Sequence, residues 1–125
     1  SDIYLFAGIT GDLSPNHVNH EYMKQTSNGK RIAHGALLIG YMSTASSYLL
    51  QKYPGSDDEA TPVSLGYDTV RFVKPVFIND TITVNYTVEE FDGERNRSYS
   101  QVEVVNQDNE TVAVAKHILK WVPNT

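Results

Sequence analysis

The chain has 125 residues, enough for one domain with an ordinary core and too few for two. Its 15 acidic and 10 basic residues give a net charge of -5, and the basic residues are scattered from Lys24 to Lys120 without a run or stripe, which argues against nucleic acid as a partner. With no cysteine there can be no disulfide, thiolate nucleophile or zinc-thiolate site. No stretch approaches the roughly 18 consecutive apolar residues of a membrane span and no secretory leader is visible, so the sequence reads as soluble and cytoplasmic, without a membrane partner.

In chain order, the first informative segment runs from Gly8 to His17, Gly-Ile-Thr-Gly-Asp-Leu-Ser-Pro-Asn-His. Pro15 stiffens it, so Asp12 and His17 are expected to converge through a loop rather than through helical periodicity. Asn19 is the expected N-cap of a short helix through Glu21, Tyr22 and Met23 to about Gln25, ended by Ser27-Asn28-Gly29. His34-Gly35 then opens an uncharged helix from Gly35 to Leu50. A helix apolar nearly all round is expected to be buried, with Gly40, Ser43, Ala45, Ser46 and Ser47 letting a sheet pass close. Pro54-Gly55 should stop it, and residues 56–62 read as an acidic, exposed loop.

Four strands are expected next. Thr81 to Val88 alternates, with Ile82, Val84, Tyr86 and Val88 on one face and Thr81, Thr83, Asn85 and Thr87 on the other. Val63 to Phe72, Arg97 to Val105 and Thr111 to Trp121 are the others, with turn clusters at Ile78-Asn79-Asp80, Asp92-Gly93 and Gln107-Asp108-Asn109. Helices first and strands second predict an α+β domain, most economically an antiparallel meander curled around one buried helix.

A carboxylate and an imidazole in one loop, facing the N-terminus of a buried helix, are the parts of general acid/base chemistry beside a polarised carbonyl. His17 and His20, with Asp12 and His34 nearby, could also be read as a metal cluster, although that spacing is common by chance.

These motifs resemble the MaoC-like hydratases/dehydratases, the (R)-specific enoyl-CoA hydratase family of the hotdog fold. The resemblance is carried by Phe6-Ala7, Gly11-Asp12, Pro15, His17 and Ile32-Ala33-His34-Gly35, then by Leu65 to Phe72, Pro75-Val76-Phe77 and Asp80. Ser14 stands where the family usually has Asn. The resemblance implies a single hotdog domain over residues 1–125, a curled sheet wrapped around residues 35–50; the family generally has an additional strand first, so either that strand is trimmed here or that edge is built differently.

By the resemblance, Asp12 and His17 are the catalytic pair that holds one water and adds it across a trans-2-enoyl thioester, giving the (R)-3-hydroxyacyl thioester, or runs the reverse dehydration. Their individual roles stay open. The Gly35 backbone N–H is the expected enolate donor, with Gly letting a ligand approach the main chain, and Ser43 lines the site. His34 either contacts substrate or shapes the helix entry. The resemblance implies no metal and no cofactor, a CoA or acyl-carrier-protein thioester as substrate, and a homodimer or dimer of dimers. The competing readings are a hotdog thioesterase, in which a carboxylate activates water against the thioester carbonyl, and a non-catalytic acyl-thioester-binding subunit.

Overall fold

The structure is a computed structural model that describes residues 1–51 and 60–124. The expected stop at Pro54-Gly55 and most of the expected 56–62 loop lie outside the described residues. Ala60 to Pro62, read as part of that loop, instead begin a strand.

Among the described residues four helices come first: α1 (Asp2–Thr10), α2 (Pro15–Val18), α3 (His20–Lys24) and α4 (Gly35–Gln51). Four strands follow: β1 (Ala60–Phe72), β2 (Thr83–Asp92), β3 (Arg97–Val105) and β4 (Thr111–Pro123). Helix α1 was not expected from the sequence. Gly11 ends it in the left-handed region at φ 82°, donating its N–H to the Ala7 carbonyl at 2.8 Å, a turn that turns the chain into the Asp12 loop. Pro15 occupies the first turn of α2, where its missing N–H costs nothing. Asn19 caps α3 as expected, its side chain accepting from the Tyr22 N–H at 2.9 Å.

The sheet is antiparallel throughout, in the order β1-β4-β3-β2. The expected meander therefore holds for β2 to β4 only. β1 joins the far side of β4, so the two longest strands pair and β2 is left at an edge. The core packs along α4 and the inner sheet face, with Leu38 and Met42 against Val102, Val104, Val112, Ala113 and Ala115, and Val76 closing it from the connection before β2.

The expectation that α4 is buried nearly all round is corrected. Leu38, Met42 and Ser46 form a single buried stripe four residues apart, whereas Ala36, Gly40, Ser43, Thr44, Ser47 and Tyr48 are exposed. One four-stranded sheet covers only one side of a helix. Among the described residues, a groove between α1, α4 and the β2 edge of the sheet, lined by Tyr4, Leu37, Leu38, Tyr41, Tyr48 and Val84, has a volume of about 820 Å³.

β1 is irregular near the helix start. Its pairing with β4 shifts between Asp68 and Arg71, and Thr69 adopts φ 54°, a strained conformation for a β-branched residue. Beyond this bulge β1 ends with the Phe72 ring against Gly35.

Candidate active site

The loop carrying Asp12 and His17 is held to the segment before α4 by a backbone bond from the Ile32 N–H to the Asn16 carbonyl, at 2.9 Å. The Ala33 N–H donates in turn to the Val76 carbonyl at 2.7 Å, and Ile32 bridges to Phe77. These contacts bring two distant pieces of sequence to one place. They position His17 and His34, both buried, with their rings stacked at 3.8 Å between centroids and 23° between planes.

Each ring is tied to the other's segment. His17 Nδ1 lies 2.9 Å from the Ile32 carbonyl, and His34 Nε2 lies 3.1 Å from the Asp12 carbonyl. A carbonyl only accepts, so both nitrogens donate. In the neutral rings this leaves His17 Nε2 and His34 Nδ1 as the lone-pair nitrogens. His34 Nδ1 is buried without a hydrogen-bond partner, whereas His17 Nε2 is the nitrogen through which His17 can exchange a proton. Phe6 of α1 closes the far side of His34, its ring 4.9 Å away.

Asp12 is exposed, and its Oδ1 accepts the Ser14 N–H at 3.3 Å in a local turn. Ser14, the departure from the family pattern, contributes to the loop through its backbone in this contact. One ligand-type atom each from Asp12, His17 and His34 falls within 4.8 Å of the others; His20 is not part of the cluster. The stacking makes this a poor cage for one ion. Imidazole lone pairs lie in the ring plane, so two nearly parallel rings aim theirs side by side rather than at a common point.

Gly35 is the first residue of α4, so its N–H has no acceptor within the helix and sits at the positive end of the helix dipole. The sequence suggested that Gly is there for ligand approach. The structure gives another reason: a Cβ at this position would lie 2.6 Å from Cε2 of the Phe72 ring. Ser43 is not brought into the Asp12–His17–His34 group. It lies two turns farther along α4, exposed, where its hydroxyl acts on Tyr67 of β1.

A second polar cluster was missed in the sequence. His117 of β4 is buried, its Nε2 2.8 Å from Ser64 Oγ and its Nδ1 2.8 Å from the Tyr86 hydroxyl, and Tyr67 stacks on the ring at 4.2 Å. Burial pushes the His117 imidazole below its ordinary value and the Tyr67 and Tyr86 phenols above theirs. The available signal was the parity of His117 with the inward-facing Ala113, Ala115 and Leu119.

A curled antiparallel sheet over one central helix, with an Asp/His loop at that helix's N-terminus, defines an α+β protein of the hotdog class. The chain belongs to the MaoC-like family, whose MaoC like domain matches residues 1–114. It is 42% identical over 88 residues to an (R)-specific enoyl-CoA hydratase of Rhodospirillum rubrum, covering 70% of this chain and 56% of that protein. It is 37% identical over 98 residues to a 3-hydroxybutyryl-CoA dehydratase of Methylorubrum extorquens, covering 78% and 57%. Among solved structures, the unliganded R-hydratase PhaJ1 of Pseudomonas aeruginosa superimposes with a TM-score of 0.81 at 31% identity, covering 97% of this chain and 72% of that one. The chain thus spans a little over half the length of the two curated relatives.

Proposed function

We propose that this domain carries the catalytic loop of an enoyl-CoA hydratase or 3-hydroxyacyl-CoA dehydratase, specific for the (R)-hydroxy product. The observation that carries the reading is the pairing of Asp12 with a His17 whose Nδ1 is committed to the Ile32 carbonyl, leaving Nε2 to face proton transfer. The names of its relatives, a hydratase and a dehydratase, support the same chemistry.

In the hydration direction, one water is held between the Asp12 carboxylate and His17 Nε2. One of the pair takes a proton from it as its oxygen bonds to C3 of a trans-2-enoyl thioester. The electrons of the C2–C3 double bond move toward the thioester oxygen, where the Gly35 N–H at the head of α4 stabilises the enolate. A proton is then returned to C2 from the same side, giving the (R)-3-hydroxyacyl thioester. Asp12 and His17 share the two proton transfers. His34 holds the loop rather than the substrate, and no step requires a metal or cofactor.

The exposed face of α4 and exposed apolar side chains at Ile9, Leu13, Tyr48 and Phe72 support a homodimer that covers them. Among the described residues, no helix is long and apolar enough to cross a membrane.

The test is to supply a short trans-2-enoyl-CoA and follow the conjugated ultraviolet band and free thiol together. The proposal expects the band to fall with no thiol released. Thiol release would make the protein a thioesterase, and silence in both channels from an intact oligomer would make it a binding subunit. Sedimentation of the full chain tests the homodimer, which a monomer at assay concentration would refute.

A further inference from the structure

β1 meets the start of α4 only because its register is broken. Between Asp68 and Arg71 it advances three residues while β4 advances two, from Lys116 to Val114, so one extra residue is inserted. Because side chains alternate, that insertion exchanges the faces of everything after it. Tyr67 is on the inner face, stacked on His117, and unbroken alternation from there would send Thr69 and Arg71 inward and Phe72 outward. With the bulge, Phe72 instead stands opposite the buried Ala113, on the face that α4 covers. Thr69 holds the bulge at φ 54°, a conformation that costs about 1–3 kcal/mol. The chain is pinned directly behind the ring, where the N–H groups of Val73 and Lys74 both donate to the Val112 carbonyl, at 2.8 and 3.3 Å.

This strain does not serve core burial, since Phe72 stays 52% exposed. The contact it secures is with the first residue of α4. A Cβ on Gly35 would lie 2.6 Å from Cε2 and 2.7 Å from Cζ of the ring, so the ring edge stands no more than about 5 Å from the Gly35 nitrogen. That N–H has no acceptor within the helix. A carbonyl oxygen accepting from it at ordinary hydrogen-bond length would bring the rest of its thioester group up to the ring.

We propose that Phe72 is a further substrate-contacting residue: its ring lies against the bound thioester and keeps water from the bond between the Gly35 N–H and the enolate oxygen. This inference rests on the hydratase reading of Asp12, His17 and Gly35. Enolate charge exists only during the reaction, and a donor acts on it more strongly where water is excluded. The ring therefore stabilises the transition state more than the bound substrate. A second copy over the β1 edge closes the ring in from outside and leaves its side toward Gly35 for the thioester.

Two measurements test the contact. In turnover of a short trans-2-enoyl-CoA, Phe72→Ala should lower kcat roughly 10-fold and change KM less, a smaller loss than the roughly 100- to 1,000-fold expected for removal of the donor itself. Phe72→Leu, which keeps an apolar side chain there, should recover most of that loss. The second measurement uses the full, unaltered chain, labelled with 4-fluorophenylalanine at its four Phe positions and titrated with saturated butanoyl-CoA, which cannot be hydrated. Each fluorine signal is identified by its disappearance in the matching Leu variant. The Phe72 signal should move on saturation, while that of Phe91, on the opposite edge of the sheet, should stay in place. An unchanged kcat in Phe72→Ala, or an unmoved Phe72 signal at saturation, would overturn the contact. Turnover with an unmoved signal overturns the contact alone, whereas a moved signal without turnover overturns the hydratase reading alone.

Discussion

His17 and His34 stack at 3.8 Å, and each donates to a main-chain carbonyl of the other's segment, His17 to Ile32 and His34 to Asp12. The two rings thereby stitch the Asp12–His17 loop to the entry of α4. His34→Ala removes one stitch and leaves the Asp12 carbonyl unpaired, so it should cost about 1–3 kcal/mol in denaturant unfolding. It should also lower kcat more than it raises KM, because a loosened Asp12 misplaces the water rather than the thioester. An unchanged kcat in a folded variant would remove His34 from the account.

The Gly35–Phe72 contact predicts a paired effect. Gly35→Ala forces a methyl into the Phe72 ring and should cost about 1–3 kcal/mol, as overpacking does. Phe72→Ala in the same chain should restore most of that loss. A thermal melt of the single and double variants checks it, and equal destabilisation in both would show that the ring is not the obstacle.

Thr69 sits at φ 54° in the β1 bulge, where its branched side chain is strained by about 1–3 kcal/mol. Asn accepts the left-handed conformation more readily, so Thr69→Asn should raise the melting temperature. A fall would mean that the Thr side chain supplies compensating contacts.

His117 predicts the acid limb of the stability profile. Its folded-state value lies below the ordinary 6.5, so between the two values the unfolded chain binds the extra proton. Stability is full above the ordinary value and is lost as pH falls through it toward the lower folded value. The titratable groups facing the ring are Tyr67 and Tyr86, both shifted upward and neutral throughout this range. Melting temperature should therefore drop as the pH falls below the ordinary 6.5, and the drop should flatten in His117→Gln. An equally steep drop in that variant would place the effect elsewhere.

What could be read in the sequence had local causes. The uncharged run fixed α4 from its first residue, and the turn residues on either side bounded β3 at Arg97 and Val105 as observed. The β1–β4 pairing was not legible, because alternation shows which face a residue occupies and not which distant strand it meets. α1 was missed because Leu5 and Ile9 are exposed, so its apolar residues trace no buried stripe. Asp12, His17 and His34 were legible by motif, but their reciprocal bonds needed the fold. The polar cluster at His117 escaped because its members come from three different strands, each inconspicuous alone.

The central claim is that Asp12 and His17 work as a pair on one water. It is tested most directly by the rate at which the enoyl ultraviolet band is lost in Asp12→Asn and His17→Gln beside the unaltered chain. Each variant should lose roughly 100- to 10,000-fold in turnover, and the double variant little more than the worse single one, as befits groups acting as a unit. Near-full activity in both folded single variants would contradict the account.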